Sequence, residues 1–286
     1  MARIVVGVDD SAHADAALRW AVTEADVRSA TLELVHAYVV PVRVPLATPS
    51  RELAERTVDR IVSRNRSVLD AVKWTATVVP LLGAPYSSAL IQAGDEAELV
   101  VVGSRGRGGF SALLLGSTSH RTVGHAPCPV AVVRGDPDMT VPGNLRRIVV
   151  GVDGSRVARR ALRWAVDEAE LRAVPLTVVH GYADATFRPH AGLQSDAQID
   201  AVQAAARDAA LAVVDHAVRI VDPPARVDID RVVAVGSPAG ALLDHVGTDA
   251  LLIVGTRGHG AIGRALLGSV SHQCLHHARG TVIVVP

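Results

Sequence analysis

The sequence predicts an α/β protein built from two tandem Rossmann-like domains, each a five-stranded, parallel, doubly wound sheet. Three observations lead there. First, the chain repeats itself. Arg3-Ile-Val-Val-Gly-Val-Asp9 returns 144 residues later as Arg147-Ile-Val-Val-Gly-Val-Asp153. Arg19-Trp-Ala-Val22 and Val35-His-Ala-Tyr38 return at the same distance, as Arg163-Trp-Ala-Val166 and Val179-His-Gly-Tyr182. Second, short β-branched runs alternate with helical stretches in each copy, the order that gives a parallel sheet with right-handed crossovers. Third, 49% of residues are hydrophobic but only 3% aromatic. The interior is therefore mostly Val, Leu, Ala and Ile, as in a sheet covered by helices on both faces.

A length of 286 residues fits about two domains of ordinary size. Two copies of domain length indicate a duplication and not a solenoid. Leu114-Leu-Gly-Ser117 returns as Leu266-Leu-Gly-Ser269 at a distance of 152, so the second copy has gained eight residues, expected after Tyr182. Gly135 to Asn144 is rich in Pro, Gly and Asp, lacks an apolar period, and reads as a linker. The expected division is a first domain at 1–137, a linker at 138–146 and a second domain at 147–286.

Within the first copy, Ile4–Val8 has no polar residue and reads as a strand buried on both faces. Ser11 can cap the next helix, where Ala14, Ala17, Leu18, Ala21 and Ala25 make one apolar face. Thr31–His36 reads as the second strand, Arg51–Val72 as a long charged helix and Thr75–Val79 as the third strand. Pro85 opens a short helix to about Ala93, Leu99–Val102 is the fourth strand, Gly116–His125 a helix and Val130–Val133 the fifth strand. Strands of the second copy fall near Ile148–Val152, Leu176–His180, Val227–Val233, Leu251–Val254 and Val282–Val285. Doubly wound sheets bind ligands at the carboxyl ends of strands where the winding reverses. The first and fourth strands meet that condition, and the most Gly-rich stretches follow them.

After the fourth strand comes Gly103-Ser104-Arg105-Gly106-Arg107-Gly108-Gly109, and nine residues separate Gly106 from Gly116-Ser117. The second copy has Gly255-Thr256-Arg257-Gly258-His259-Gly260, with the same nine-residue gap from Gly258 to Gly268-Ser269. Glycines let backbone N–H groups approach an anion, and the helix that follows presents its free N–H groups and positive dipole end. This is a phosphate cradle without a Walker lysine. A bare Gly-rich surface loop is the competing reading, and the repetition at one structural place argues against it. Asp9 and Asp153, just past Gly7 and Gly151, end the first strand of each copy and can accept both ribose hydroxyls; helix capping is their alternative role. A backbone amide and carbonyl just past His36 or His180 could pair with an adenine edge. The histidines themselves, with His120, His125, His272 and His277, read as structural.

Formal charge is zero and no basic block is evident, so the footprint of a nucleic-acid partner is lacking. No apolar run approaches the length of a membrane span, and the N-terminus is too short in apolar residues for a signal core. The expectation is a cytoplasmic protein with no membrane partner. Cys128 and Cys274 sit at non-equivalent places, have no metal-type spacing and read as reduced thiols. No metal-ligating residues are assigned. No general base stands beside the loop: Asp10 is the nearest free carboxylate, facing solvent or helping to hold a metal. Arg105, Arg107, Arg257 and Arg264 could clamp phosphates or simply be solvated. No catalytic residue is assigned, and a binding role is favoured over a slow ATPase or autokinase. Flavin binding is disfavoured by the sparse aromatics.

These motifs resemble the universal stress protein family in its tandem, actinobacterial form, over nearly the whole chain. The marks are Val6-Gly-Val-Asp-Asp-Ser11, Val35-His-Ala37, the Gly-x2-Gly-x9-Gly-Ser pattern, and His125-Ala-Pro-Cys-Pro-Val-Ala-Val-Val133. The resemblance implies the fold of adenine nucleotide alpha hydrolase-like domains. It implies ATP held with a divalent ion, Mg2+ or Mn2+. Asp9 would hold the ribose, the backbone of Ala37 the adenine, and the glycines with Ser117, Thr118 and Ser119 the phosphates. The second copy would use Asp153, Gly181, Gly255, Gly258, Gly268, Ser269, Val270 and Ser271. It further implies a regulatory role in stress or dormancy, an unidentified regulatory protein partner, and a homodimer joined away from the last strands. Those strands, uncharged and at the sheet edges, are expected to pair with each other inside the chain.

Overall fold

A computed structural model describes residues 2–40, 49–106, 115–134, 145–184, 196–257 and 267–286. The first copy runs β1 (Arg3–Gly7), α1 (Ala12–Val27), β2 (Thr31–Val39), α2 (Pro49–Arg64), α3 (Arg66–Leu69), β3 (Trp74–Leu81), α4 (Ser87–Ala93), a 3-10 turn at Gly94–Glu96, β4 (Leu99–Gly103), α5 (Ser117–His125) and β5 (Val130–Val133). The second runs β6 (Arg147–Gly151), α6 (Arg156–Arg172), β7 (Leu176–Tyr182), α7 (Asp196–Val221), β8 (Ile229–Val235), α8 (Pro238–His245), β9 (Ala250–Gly255), α9 (Ser269–His277) and β10 (Val282–Val285).

Among the described residues, ten strands form one sheet in the order β3-β2-β1-β4-β5-β10-β9-β6-β7-β8. Each copy is parallel throughout, and the copies join antiparallel, with Val282, Ile283 and Val284 opposite Val132, Ala131 and Val130. The last strands thus close each other's edges, as expected. The apolar runs need two covering layers because successive side chains point to opposite faces. Ile4 and Val6 pack in one layer with α1 and α6, whereas Val5, Val100 and Val102 pack in the other with α4, α5, α8 and α9. Both layers run unbroken through the two copies. No helix among the described residues is long and apolar enough to cross a membrane.

Behind the strand seam, α1 and α6 meet through four charged side chains. Glu24 and Glu168 are buried, each paired with an arginine one turn on, Arg28 and Arg172. Each arginine also reaches the glutamate of the other copy, Arg28 to Glu168 and Arg172 to Glu24. Arg28 lies over the Trp164 ring, 5.1 Å from its centroid. Paired and hydrogen-bonded, these charges can tolerate burial that would be prohibitive for any one alone.

Three expectations need correction. The predicted helix Arg51–Val72 is two helices, because Asn65 leaves helical geometry and spends its amide elsewhere. Its Nδ2 donates to Asp15 Oδ1 at 3.1 Å and to the Ile61 carbonyl at 3.0 Å. The second strand continues to Val39, so Ala37 lies within β2 and not beyond it. The extra residues of the second copy are also distributed differently. Tyr38 faces Pro80 while Tyr182 faces Val235, so eleven residues are gained before that point and three are lost before β9.

Candidate functional site

From β1 the sheet grows through β2 to β3, then the chain crosses back to β4 and β5 on the other side. The carboxyl ends of β1 and β4 therefore flank the switch point, and those of β6 and β9 do so in the second copy. Gly7 and Gly151 end the strands beneath it. A Cβ on either would press on Leu90 of α4 or Leu242 of α8, both at 2.9 Å.

Ser11 caps α1, its hydroxyl accepting the Ala14 N–H at 3.2 Å. Asp9 supports that turn through one oxygen: Oδ1 accepts from the Ser11 hydroxyl at 2.6 Å and from its N–H at 3.2 Å. Its other oxygen faces the loop after β4, where a Cβ built on Gly106 would stand 2.5 Å from Oδ2. Gly103 is closed in as tightly, its Cβ position lying 2.6 Å from the His13 carbonyl oxygen. Asp153 repeats the arrangement, accepting the Ser155 N–H at 2.9 Å, and Gly255 packs on Val157.

The loop and the helix after it are held by matching bonds in both copies. Ser104 N–H donates to Val133 O at 3.0 Å and Gly116 N–H to Ser104 O at 2.8 Å. Thr256 N–H donates to Val285 O and Gly268 N–H to Thr256 O, both at 2.8 Å. The buried hydroxyls of Ser119 and Ser271 donate to the carbonyls of Gly103 and Gly255, each at 2.6 Å. These two serines lock the loop to the helix. Neither α5 nor α9 has a side-chain cap, and their first internal bonds run from His120 to Gly116 and from His272 to Gly268. The N–H groups of Ser117, Thr118, Ser269 and Val270 thus point out of the helix start without an intrahelical acceptor. Arg107, Gly108, Gly109, Gly258, His259 and Gly260, with Arg264, lie outside the described residues.

His36 Nδ1–H donates to Val8 O at 2.7 Å, and His180 Nδ1–H to Val152 O at 2.8 Å. Both are structural, as expected, and pin the chain just before each aspartate. Ladder alternation then sets the direction of the Ala37 backbone. The carbonyl of Val35 serves Val8 on the β1 side, while Leu32 bonds toward β3. Ala37 is two residues on from Val35, so its N–H and C=O face the space beyond the end of β1. Gly181 stands likewise beyond β6, and there a Cβ would lie 2.6 Å from Pro238 Cα.

The two sites differ in charge. Around the first, Arg134 is half-buried with Nη1 lacking a hydrogen-bond partner among the described residues. Burial and then the nearby Arg105 hold its pKa below the ordinary arginine value. Burial and Arg105 also push the His13 imidazole down, with Asp9 opposing. The second copy has Val157 for His13 and Pro286 for Arg134. Asp10, read as a free carboxylate, is not one. In a left-handed turn (φ 66°), it pairs with Arg64 at 2.9 Å and Arg60 at 3.2 Å, and Arg64 foremost lowers its pKa. Gly154 takes the same turn (φ 84°) in the second copy without a carboxylate.

A family model described as the universal stress protein family matches residues 1–134 and again 144–286. The chain is 33% identical to universal stress protein Rv2005c of Mycobacterium tuberculosis, across 98% of this chain and 96% of that one. It is 33% identical to a universal stress protein of Mycolicibacterium smegmatis, across 99% and 96%. Against universal stress protein Rv2623 of M. tuberculosis the identity is 31%, across 98% and 95%. The crystal structure of a universal stress protein from Archaeoglobus fulgidus superposes with a TM-score of 0.69, covering 99% of this chain and 95% of that chain. Its 19% identity makes it evidence for the fold alone.

Proposed function

The chain belongs to the universal stress protein family, and on that premise we propose that it is an ATP-binding regulatory switch with one nucleotide site in each copy. One observation carries the reading. In the first copy an uncapped helix start and a close-packed glycine backbone face Asp9 at the sheet's switch point, and the second copy repeats the uncapped helix start and the aspartate that follows the strand. The phosphates would lie against the N–H groups of Ser117 and Thr118, or of Ser269 and Val270. Asp9 or Asp153 would take the ribose hydroxyls, and the backbone of Ala37 or Gly181 the adenine edge. The cradle fits a phosphate chain because its backbone is bare and close-packed: a Cβ on Gly106 would already press on the Asp9 carboxylate. A divalent ion, Mg2+ or Mn2+, would supply charge neutralisation between phosphate oxygens.

The switch is favoured over an enzyme because Asp10, the carboxylate next to the ribose-site Asp9, is held by two arginines and is a poor base. Occupancy would set the position of the loop and α5 or α9, which a regulatory protein partner could read in the cytoplasm. The seam uses the edges of β5 and β10, so a homodimer must use another surface. Leu53 on α2, 59% exposed, suits one. Mass spectrometry of ligand released from the denatured full chain tests the reading. Intact ATP is expected; ADP would indicate a hydrolase and flavin another role. No bound adenine nucleotide, with none taken up in equilibrium dialysis, would overturn it.

A further inference from the structure

We infer that the second copy carries an additional anion site, a groove between α6 and the end of α7 that takes a short phosphate chain. The run Arg156-Val-Ala-Arg159-Arg160-Ala-Leu-Arg163 places four arginines at helical spacings of three, four and seven, hence on one face. They line a groove of about 400 Å³ together with Val157, Ile220 and Val221. Among the described residues no carboxylate lines it. Arg159 gives one N–H to the Gly154 carbonyl at 3.0 Å, and Arg163 lies near enough to Asp167 to be felt by it. Residues 185–195 and 258–266 of this copy contain no Asp or Glu that could neutralise the groove.

The first copy does the opposite at the same positions. Arg159 stands where that copy has Asp15, and Gly154 where it has Asp10; both aspartates are tied to arginines of α2. One helix pair is closed by its own ion pairs at these positions, and the other lines its groove with arginines. Guanidinium groups present forked donors that match phosphate oxygens, and a shared anion relieves their mutual repulsion. From Arg156 to Arg163 the helix rises about 10 Å, the span of a few linked phosphates and short for a protein surface. Val157 lines the groove and also packs on Gly255, so the site adjoins the second phosphate loop without sharing its glycines.

Calorimetric titration of the full chain with sodium tripolyphosphate, with ATP at two equivalents per chain to fill the two nucleotide sites, tests this. Wild type should bind one equivalent, more weakly as salt rises. Combined Arg156→Ala, Arg160→Ala and Arg163→Ala should weaken binding at least tenfold while the melting temperature stays put; Arg159 is spared because it holds the Gly154 turn. Parallel titrations with adenosine 3′,5′-bisphosphate and with long-chain polyphosphate tell a nucleotide source from an inorganic one. Absence of tripolyphosphate binding, an unchanged affinity in the triple variant, or equally tight binding of a polyglutamate peptide or duplex DNA overturns the assignment. Should ATP itself not bind, the arginine variants still decide the groove.

Discussion

Glu24 and Arg172 lie 148 residues apart in sequence and form a buried ion pair across the junction of the two copies. Glu168 and Arg28 make the reciprocal pair, and Arg28 also reaches Glu98, so five charges compensate one another where α1 meets α6. Removing Glu24 leaves two buried guanidinium groups, Arg28 and Arg172, sharing Glu168, with only Arg28 also reaching Glu98. Glu24→Ala is expected to lower the unfolding free energy by about 3–5 kcal/mol, measured by denaturant titration. Replacing Glu24, Arg28, Glu168 and Arg172 together by apolar residues should cost far less. A loss below about 1 kcal/mol for the single variant would show that water already reaches the cluster.

Gly106→Ala places a methyl group against the Asp9 carboxylate. Nucleotide stoichiometry should fall from two per chain to one in equilibrium dialysis, the second copy being untouched. The site lost should be the tighter one, since Arg134, near Arg105 of its loop, is replaced by Pro286 in the second copy. Asp9→Ala should weaken that site by roughly 1–3 kcal/mol, the scale of charge-assisted hydrogen bonds. Two sites of equal affinity in wild type would show that Arg134 does not act on the nucleotide.

Cys128 and Cys274 are both buried, and burial pushes their thiols up to about 11 and about 12. Thiolate is the reactive form, so neither should be alkylated by iodoacetamide at pH 8 in the folded chain. Both should react after denaturation. Rapid labelling of Cys274 in the native protein would mean that α9 opens locally.

The duplication, the parallel strands and the two glycine loops were legible because each depends on local sequence repeated at fixed spacing. The junction was not. Glu24 with Arg28, or Glu168 with Arg172, looks like an ordinary exposed i,i+4 helix pair. A signal was present nonetheless: both pairs recur at the 144-residue offset, whereas Asp10, just before the same helix, and Asp15 on it give way to Gly154 and Arg159. The arginine groove was hidden by a net charge of zero, which averages over surfaces that the fold separates. The break at Asn65 was invisible because its cause, Asp15, comes from another helix.

On the opposite side of the sheet from the ion cluster, α5 and α9 meet through histidines. The rings of His120 and His272 are 6.3 Å apart edge-on, and His276 lies 4.3 Å from His272. Burial first, then neighbouring positive charge, lowers both His120 and His276. The neighbours are His272 and His125 for His120, and His272, Arg134, His277 and His120 for His276. The unfolded chain therefore takes up these protons at a higher pH than the folded chain. Stability from the neutral cluster is complete above the unfolded value, about 6.5, and is lost as pH falls through it toward the lower folded values. Asp10, lowered by its arginines, acts only in the more acidic carboxylate range, and His13 adds an effect of the same sign as the cluster. Denaturant unfolding at pH 7.5 and 5.5 should thus show a drop that shrinks in the His120→Gln, His276→Gln double variant. These histidines stand on the helices that begin at Ser117 and Ser269, so nucleotide affinity should fall over the same interval. A pH slope identical in wild type and double variant would place the proton uptake elsewhere.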